Sequence, residues 1–223
     1  MNKVAASILS CNNAYLGDSV VAANDAGVDF VHIDVVDGAY CGNFSFGPKT
    51  VSDLKRLSKA PVEAHLEMYD PQCYLDIFFE AGPDMVTIQS DSSACVLRTL
   101  EAIKRKGINA GIGFNSSVTI DQIKYYIAHA DYVVLLCVEP GFGGQAMNPC
   151  IYEKVRAVRD FVDREGIATQ IFIDGGVNEE TGAALLECGA DVLIVGSGIF
   201  TGDDILRDDI VANVRRFKSL ADG

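Results

Sequence analysis

Short apolar runs alternate with amphipathic stretches along the whole chain, and this alternation restricts the fold more than any other feature. The runs are rich in Val, Ile and Phe and are bounded by glycine or polar residues, as buried strands are. The predicted strands are Val4–Ser7, Phe30–Val35, Val62–Leu66, Met85–Gln89, Asn109–Phe114, Tyr132–Val138, Gln170–Asp174 and Val192–Val195. The predicted helices are Leu16–Ala26, Val51–Lys59, Pro71–Ala81, Ala94–Lys106, Ile120–His129, Tyr152–Glu165, Glu179–Cys188 and Ile205–Ala221. About eight strand–helix units in one domain, residues 1–223, indicate an α/β fold of the (β/α)₈ TIM-barrel type. A doubly wound open sheet is the alternative.

Composition excludes some classes of partner. The net charge of −13 argues against nucleic acid, which needs basic patches. No apolar run approaches the ~18 residues of a membrane span, and the first residues lack a convincing secretory signal. Seven cysteines form no Cys-x-x-Cys pair, so we expect reduced thiols in a cytoplasmic protein rather than structural zinc or a disulfide framework.

A histidine and an aspartate share one face of the second predicted strand. His32 and Asp34 are two residues apart, and burying both is costly unless they bind something. His65 and Asp174 occupy matching positions in the third and seventh strands. We expect all four in the second halves of their strands, so that they converge at the C-terminal mouth of a barrel. Two His and two Asp suit one divalent ion of zinc, iron, manganese or cobalt.

Each of these residues also has an ordinary structural interpretation. His65 alone would be a satisfied core histidine, and Asp174 before two glycines could be a turn residue. The shared geometry of the four favours a functional site.

Glycine-rich loops follow the last three predicted strands. They are Pro140-Gly141-Phe142-Gly143-Gly144-Gln145, Asp174-Gly175-Gly176-Val177 and Gly196-Ser197-Gly198. Glycines let backbone N–H groups approach an anion, and loops after strands seven and eight hold phosphate in such barrels. None of the loops carries Lys or Arg, so amides, Ser197 and a helix N-terminus would bind the phosphate.

Several motifs together resemble the ribulose-phosphate 3-epimerase family over essentially the whole chain. They are Ser7-Ile8-Leu9-Ser10, His32-Ile33-Asp34-Val35-Val36-Asp37-Gly38, Asn43, Gly47-Pro48, His65-Leu66, the three glycine loops and their flanking residues. The resemblance implies a TIM barrel with one divalent metal held by His32, Asp34, His65 and Asp174. It also implies that Asp34 and Asp174 form an acid/base pair. Residues implied near the sugar phosphate are Ser7, His65, Gly141, Gly143, Gly144, Gly175, Gly176, Gly196 and Ser197.

The implied reaction explains the residue types. Removing the C3 proton of a 2-ketose phosphate gives an enediolate, whose charge a metal ion can stabilise. One carboxylate takes a proton from one face and a carboxylic acid returns one to the other, which inverts C3. The lead substrates are D-ribulose 5-phosphate and D-xylulose 5-phosphate.

The sequence departs from the family near the reaction centre. Positions where the family carries methionine are Val36, Glu67 and Leu136, and Gln89 replaces a usual histidine. Glu67 lies two residues after His65, so it either faces a loop as a solvated residue or points into the barrel. In the second case we expect it to bind a further substrate hydroxyl or to tune the metal.

These departures leave alternatives open. The protein could be a hexulose-phosphate 3-epimerase, for example one converting D-allulose 6-phosphate to D-fructose 6-phosphate. More distant options are an indole- or histidine-pathway isomerase and a non-catalytic sugar-phosphate-binding barrel. Barrels of this family are commonly oligomeric, so we expect a homo-oligomer.

Overall fold

Eight parallel strands pair with their neighbours in the sequence, and the last strand pairs with the first. The computed structural model describes residues 2–200 and 207–223. Its strands are β1 Lys3–Ser7, β2 Phe30–Val36, β3 Val62–Glu67, β4 Met85–Gln89, β5 Asn109–Phe114, β6 Tyr132–Leu136, β7 Gln170–Asp174 and β8 Val192–Val195. The predicted (β/α)₈ barrel is confirmed, and the open-sheet alternative is wrong.

One α-helix lies after each strand. The helices are α1 Leu16–Asp25, α2 Pro48–Leu57, α3 Leu75–Ala81, α4 Val96–Arg105, α5 Ile120–Ile123, α6 Ile151–Glu165, α7 Glu179–Glu187 and α8 Arg207–Asp222. Gly82 and Gly166 end α3 and α6 in the left-handed conformation, with φ of 76° and 65°. Among the described residues, no helix is both long enough and apolar enough to cross a membrane.

The predicted bounds differ from the structure in a few places. β6 ends at Leu136 instead of Val138, since the chain bends after the Cys137 amide donates to the Asp174 carbonyl at 2.7 Å. The predicted helix Ile120–His129 is a single α-turn, α5, followed by a 3₁₀ turn at Ile127–His129. Isoleucine and tyrosine are frequent in this segment, and both are weaker helix formers than leucine or alanine. The predicted start of the last helix, Ile205, lies outside the described residues.

The barrel interior changes from apolar to polar along its axis. Outward-facing strand residues pack against the helices in the main core. The interior at the N-terminal end is a second apolar cluster that includes Phe30, Tyr132 and Phe172. Nearer the C-terminal end, His32 and His65 are fully buried inside the ring. Polar side chains inside a barrel must hydrogen-bond to one another or to a ligand, so this end is the candidate site.

Four aspartates repeat one contact around the N-terminal end of the barrel. Each stands immediately before an even-numbered strand and accepts a hydrogen bond from a backbone N–H of the preceding odd-numbered strand, at 2.7–2.8 Å. Each also pairs with a Lys or Arg of a helix. The pairs are Asp29–Lys218, Asp84–Lys55, Asp131–Lys104 and Asp191–Arg159. These contacts join the strands two by two, far from the polar mouth.

We expect Asp84→Ala to lower the free energy of unfolding by about 1–3 kcal/mol, because the buried Val62 amide loses its side-chain acceptor. Urea unfolding would measure the change. Glu80→Ala, which truncates an exposed carboxylate on α3, is the control and should shift the midpoint little. Equal shifts in both variants would contradict this account of the repeated contact.

Candidate metal centre and active site

The four predicted metal ligands come together at the C-terminal half of the barrel interior. One ligand atom from each of His32, Asp34, His65 and Asp174 lies within 4.8 Å of the other three. They belong to β2, β3 and β7, as the sequence predicts. One detail of the prediction is wrong. His32 is the third of seven residues in β2, so it lies in the first half of the strand and not in the second half. The His32 ring nevertheless reaches the cluster, where its Nε2 contacts Asp34.

The distances within this cluster fit a small cation. His32 Nε2 lies 2.9 Å from Asp34 Oδ1 and 3.8 Å from Asp174 Oδ2, and His65 Nδ1 lies 3.4 Å from Asp34 Oδ1. Ligands held ~2.1 Å from one ion at tetrahedral angles lie roughly 3.4 Å apart. His65 Nδ1 is buried and has no hydrogen-bond partner among the described residues. The donor set and this unpartnered nitrogen therefore fit a divalent metal.

A buried carboxylate orients His32. Glu63, fully buried on β3, lies with Oε2 2.7 Å from His32 Nδ1. Its Oε1 accepts hydrogen bonds from Thr87 Oγ1 at 2.6 Å and from the Tyr132 hydroxyl at 3.0 Å. This arrangement places the proton on Nδ1 and leaves Nε2 free as a ligand, as carboxylate–histidine–metal sites require.

Sequence reasoning missed Glu63, although a signal was present. The two-residue period that places Glu67 on the same face as His65 places Glu63 there as well. Thr87 and Tyr132 carry no comparable signal, because a threonine and a tyrosine in apolar strands look like ordinary packing residues.

Gln89 orients the second histidine. Its side-chain amide lies 2.8 Å from His65 Nε2. The atom in contact is the amide nitrogen, whereas the amide oxygen of Gln89 has no hydrogen-bond partner among the described residues. With His65 Nδ1 on a cation, Nε2 carries the proton, and the Gln89 amide would turn over so that its oxygen accepts that proton. Gln89, noted in the sequence as a departure from the family, thus fills a position that supports a ligand.

The charged groups of the cluster shift one another's pKa values. Burial opposes charging His32, but the carboxylates of Asp34 and Glu63 outweigh it and raise the His32 pKa well above its usual value. Burial also opposes ionisation of Asp34, yet the two imidazoles lower its pKa. Asp174 behaves differently, because burial and then the charge of Asp34 raise its pKa to about 6. One aspartate is thus held ionised while the other binds a proton more readily.

All of the predicted site residues except His32 and His65 line a single cavity at the barrel mouth. The two histidines lie beneath it and are fully buried. Ser7 donates to Asp34 Oδ2 at 3.0 Å, which fixes the outer oxygen of that carboxylate. Glu67 is the last residue of β3 and is 2% exposed, so the alternative of a solvated loop residue is wrong.

The glycine loops after β6 and β8 meet at Ser10. A Cβ on Gly143 or Gly196 would lie 3.0 or 2.9 Å from Ser10 Oγ, so a larger residue at either position would crowd this contact. Ser10 also lines the cavity, and the sequence showed it only as part of a family motif. Gly175 and Gly176 of the intervening loop have φ of 98° and 68°. The described lining contains no Lys or Arg, so backbone amides and hydroxyls must recognise any anion there.

The fold is similar to that of other TIM barrels. Phosphoribosyl anthranilate isomerase from Thermus thermophilus superposes with a TM-score of 0.69 and 15% identity, over 98% of this chain and 99% of that one. At this identity the likeness concerns the fold alone. Together, the barrel and its imidazole–carboxylate cluster define a TIM-barrel protein with a candidate metal centre at its mouth.

Sequence comparison narrows this class. The model of the ribulose-phosphate 3 epimerase family matches residues 3–200. The ribulose-phosphate 3-epimerase of Synechocystis is 34% identical over 96% of this chain and 94% of its own length. That of Bacillus subtilis is 33% identical over 98% of this chain and 100% of its own length. The chain therefore belongs to the ribulose-phosphate 3-epimerase family of carbohydrate epimerases, as its motifs predicted.

We expect Glu63→Gln to weaken divalent-metal binding by about 10- to 100-fold, because His32 loses the negative charge that strengthens its Nε2 as a donor. Calorimetric titration of zinc or manganese into the metal-free protein would measure it. Glu80→Gln removes an exposed carboxylate and should leave the affinity unchanged. Equal affinities in Glu63→Gln and the unaltered protein would argue against this role.

Metal affinity should also rise with pH. Because the pKa values of His32 and His65 are both raised, the imidazoles keep their protons to higher pH, and a cation must displace them. Affinity should fall by up to about tenfold per displaced proton for each pH unit below those pKa values. Titrations in buffers of different protonation enthalpy would count the protons released, and a count of zero would contradict the prediction.

Proposed function

We propose that this protein interconverts D-ribulose 5-phosphate and D-xylulose 5-phosphate by inverting C3 with a divalent metal bound. The observation that carries the proposal is the pair of carboxylates, Asp34 and Asp174, in one buried cluster. They reach the cavity from β2 and β7, which are three strand positions apart around the ring. A ketose held between them would have one carboxyl group on each face of C3.

The two aspartates are suited to opposite tasks. In the metal-free site the lowered pKa of Asp34 favours it as the proton acceptor, and the pKa of Asp174, raised to about 6, favours it as the donor. In the reverse reaction the two exchange roles. Ser7 donates a hydrogen bond to Asp34 Oδ2 and so restrains the orientation of that carboxylate.

A cation held by His32, Asp34, His65 and Asp174 would supply positive charge beside the oxygens of the enediolate. The glycine loops after β6, β7 and β8 would bind the phosphate through backbone N–H groups and Ser197. Binding the remote phosphate positions C3 between the two carboxylates. Glu63 and Gln89 would keep the histidines in one orientation through the reaction.

The cellular compartment, the oligomeric state and the domain organisation of the enzyme are also proposals. All seven cysteines are unpaired in the structure, which supports a reducing compartment such as the cytoplasm. The homo-oligomer is proposed from the family resemblance alone. The family resemblance supports an enzyme made of one catalytic domain, residues 1–223.

Solvent exchange tests the reaction directly. With metal supplied, D-ribulose 5-phosphate in D₂O should give D-xylulose 5-phosphate that carries deuterium at C3. In early samples the label should appear in the product before it appears in recovered substrate, because separate acids serve the two faces. Faster exchange into D-allulose 6-phosphate would instead identify a hexulose-phosphate 3-epimerase. No exchange into either sugar would favour a sugar-phosphate-binding protein without catalysis.

We expect Asp174→Asn to slow this exchange by about 10²- to 10⁴-fold, since an amide cannot transfer the proton. Because Asp174 is also a candidate ligand, the comparison is made at metal concentrations that saturate the variant. Glu80→Gln is the matched control, and its exchange rate should equal that of the unaltered protein. A saturated Asp174→Asn protein with full activity would overturn the assignment.

A further inference from the structure

Glu67 introduces a carboxylate that neither the metal cluster nor the proposed proton transfer uses. It ends β3, is 2% exposed and lines the cavity with Asp34 and Asp174. Its Oε2 is buried and has no hydrogen-bond partner among the described residues. A buried oxygen left unpaired is costly, so a donor that arrives with a ligand would satisfy it.

The geometry separates Glu67 from the metal ligands. The four atoms that lie within 4.8 Å of one another come from His32, Asp34, His65 and Asp174, and no oxygen of Glu67 belongs to this group. Its backbone lies two residues beyond His65 toward the mouth, where its register partner is Val36. The carboxylate is therefore placed above the cation cluster, on the side from which a substrate enters.

Its position around the ring indicates which part of a substrate it meets. In the closed order of eight strands, β3 stands opposite β7, whose loop carries Gly175 and Gly176. A ketose phosphate with its phosphate at the glycine loops and C3 at the cluster would extend its other end toward β3. That end is C1 with its hydroxyl group, a hydrogen-bond donor.

Nearby polar side chains do not compete for this role. The Tyr40 hydroxyl donates to Asp91 at 2.8 Å and accepts from Asn115 at 2.9 Å. The apolar Leu136 and Val138 line the cavity on the β6 side. Glu139 in the loop after β6 also lines the cavity, but it is exposed to solvent. Glu67 is thus the buried carboxylate with an unpaired oxygen at the β3 edge.

We propose that Glu67 is a specificity-determining residue that accepts a hydrogen bond from the C1 hydroxyl of the ketose phosphate. This inference rests on the proposed function, because it takes the orientation of the substrate from it. Since C1 is at the end away from the phosphate, Glu67 distinguishes substrates with and without this hydroxyl. Glu67 does not distinguish substrates by the length of the sugar chain, because pentulose and hexulose phosphates both carry the C1 hydroxyl.

A pair of substrates that differ by one hydroxyl tests the proposal. D-xylulose 5-phosphate and 1-deoxy-D-xylulose 5-phosphate are compared by deuterium exchange at C3. Glu67→Met should lower kcat/KM for D-xylulose 5-phosphate by about 10- to 100-fold, the loss expected when the buried C1 hydroxyl is left without its acceptor. The variant should exchange the 1-deoxy sugar as fast as the unaltered protein or faster. The ratio of kcat/KM for D-xylulose 5-phosphate to kcat/KM for the 1-deoxy sugar should therefore be lower in the variant. If its exchange is too slow to follow, its affinity is measured as inhibition of D-xylulose 5-phosphate exchange.

Two further measurements separate this role from others. Leu136→Met changes another cavity residue and should alter both substrates by the same factor. Zinc affinity, measured by calorimetry, should fall much less in Glu67→Met than in Glu63→Gln, because Glu67 is outside the ligand group and acts on it only through its charge. Equal losses on both substrates, or a loss of zinc affinity as large as that of Glu63→Gln, would overturn the proposal. An unaltered protein that exchanges no ketose phosphate would instead refute the proposed function, and this inference with it.

Discussion

The hydrogen bond between Glu63 and His32 is the interaction on which the rest of the site depends. A fully buried carboxylate is tolerable only when its oxygens are satisfied, and here three donors surround it: His32, Thr87 and Tyr132. The same bond sets the proton position on His32 and directs Nε2 toward Asp34. The orientation of the candidate metal ligand His32 is therefore set inside the barrel, beneath the cavity at its mouth.

The asymmetry between the two aspartates follows from the same arrangement. Asp34 lies beside both imidazoles and receives the Ser7 hydroxyl, whereas Asp174 is farther from His32 and meets mainly burial and the charge of Asp34. Residues of one type, a few ångströms apart, thus differ in their affinity for protons. The proposed two-aspartate mechanism uses this difference, because one group accepts a proton while the other gives one.

The sequence was sufficient for the barrel and for the four candidate ligands, because both follow from simple periodicities. Alternating apolar runs imply parallel strands, and parallel strands bring His32, His65 and Asp174 to one end. It was insufficient where the outcome depends on contacts between distant segments. The meeting of two glycine loops at Ser10 is one such contact. The break of the predicted fifth helix after Ile123 reflects instead the weak helix propensity of its Ile and Tyr residues. Whether Glu67 faced solvent or the interior depended on whether β3 continued for one more residue, which propensity alone does not decide.

The four aspartate–base pairs at the opposite end of the barrel have an evolutionary consequence. They brace strands in pairs at a distance from the mouth, and the apolar cluster that includes Phe30 and Phe172 lies between them and the polar residues. Divergence at the mouth, such as an acidic side chain replacing a methionine, leaves these braces untouched. If residues such as Glu67 set the sugar preference, single substitutions at the mouth would change it without a compensating change in the half of the barrel that holds these pairs.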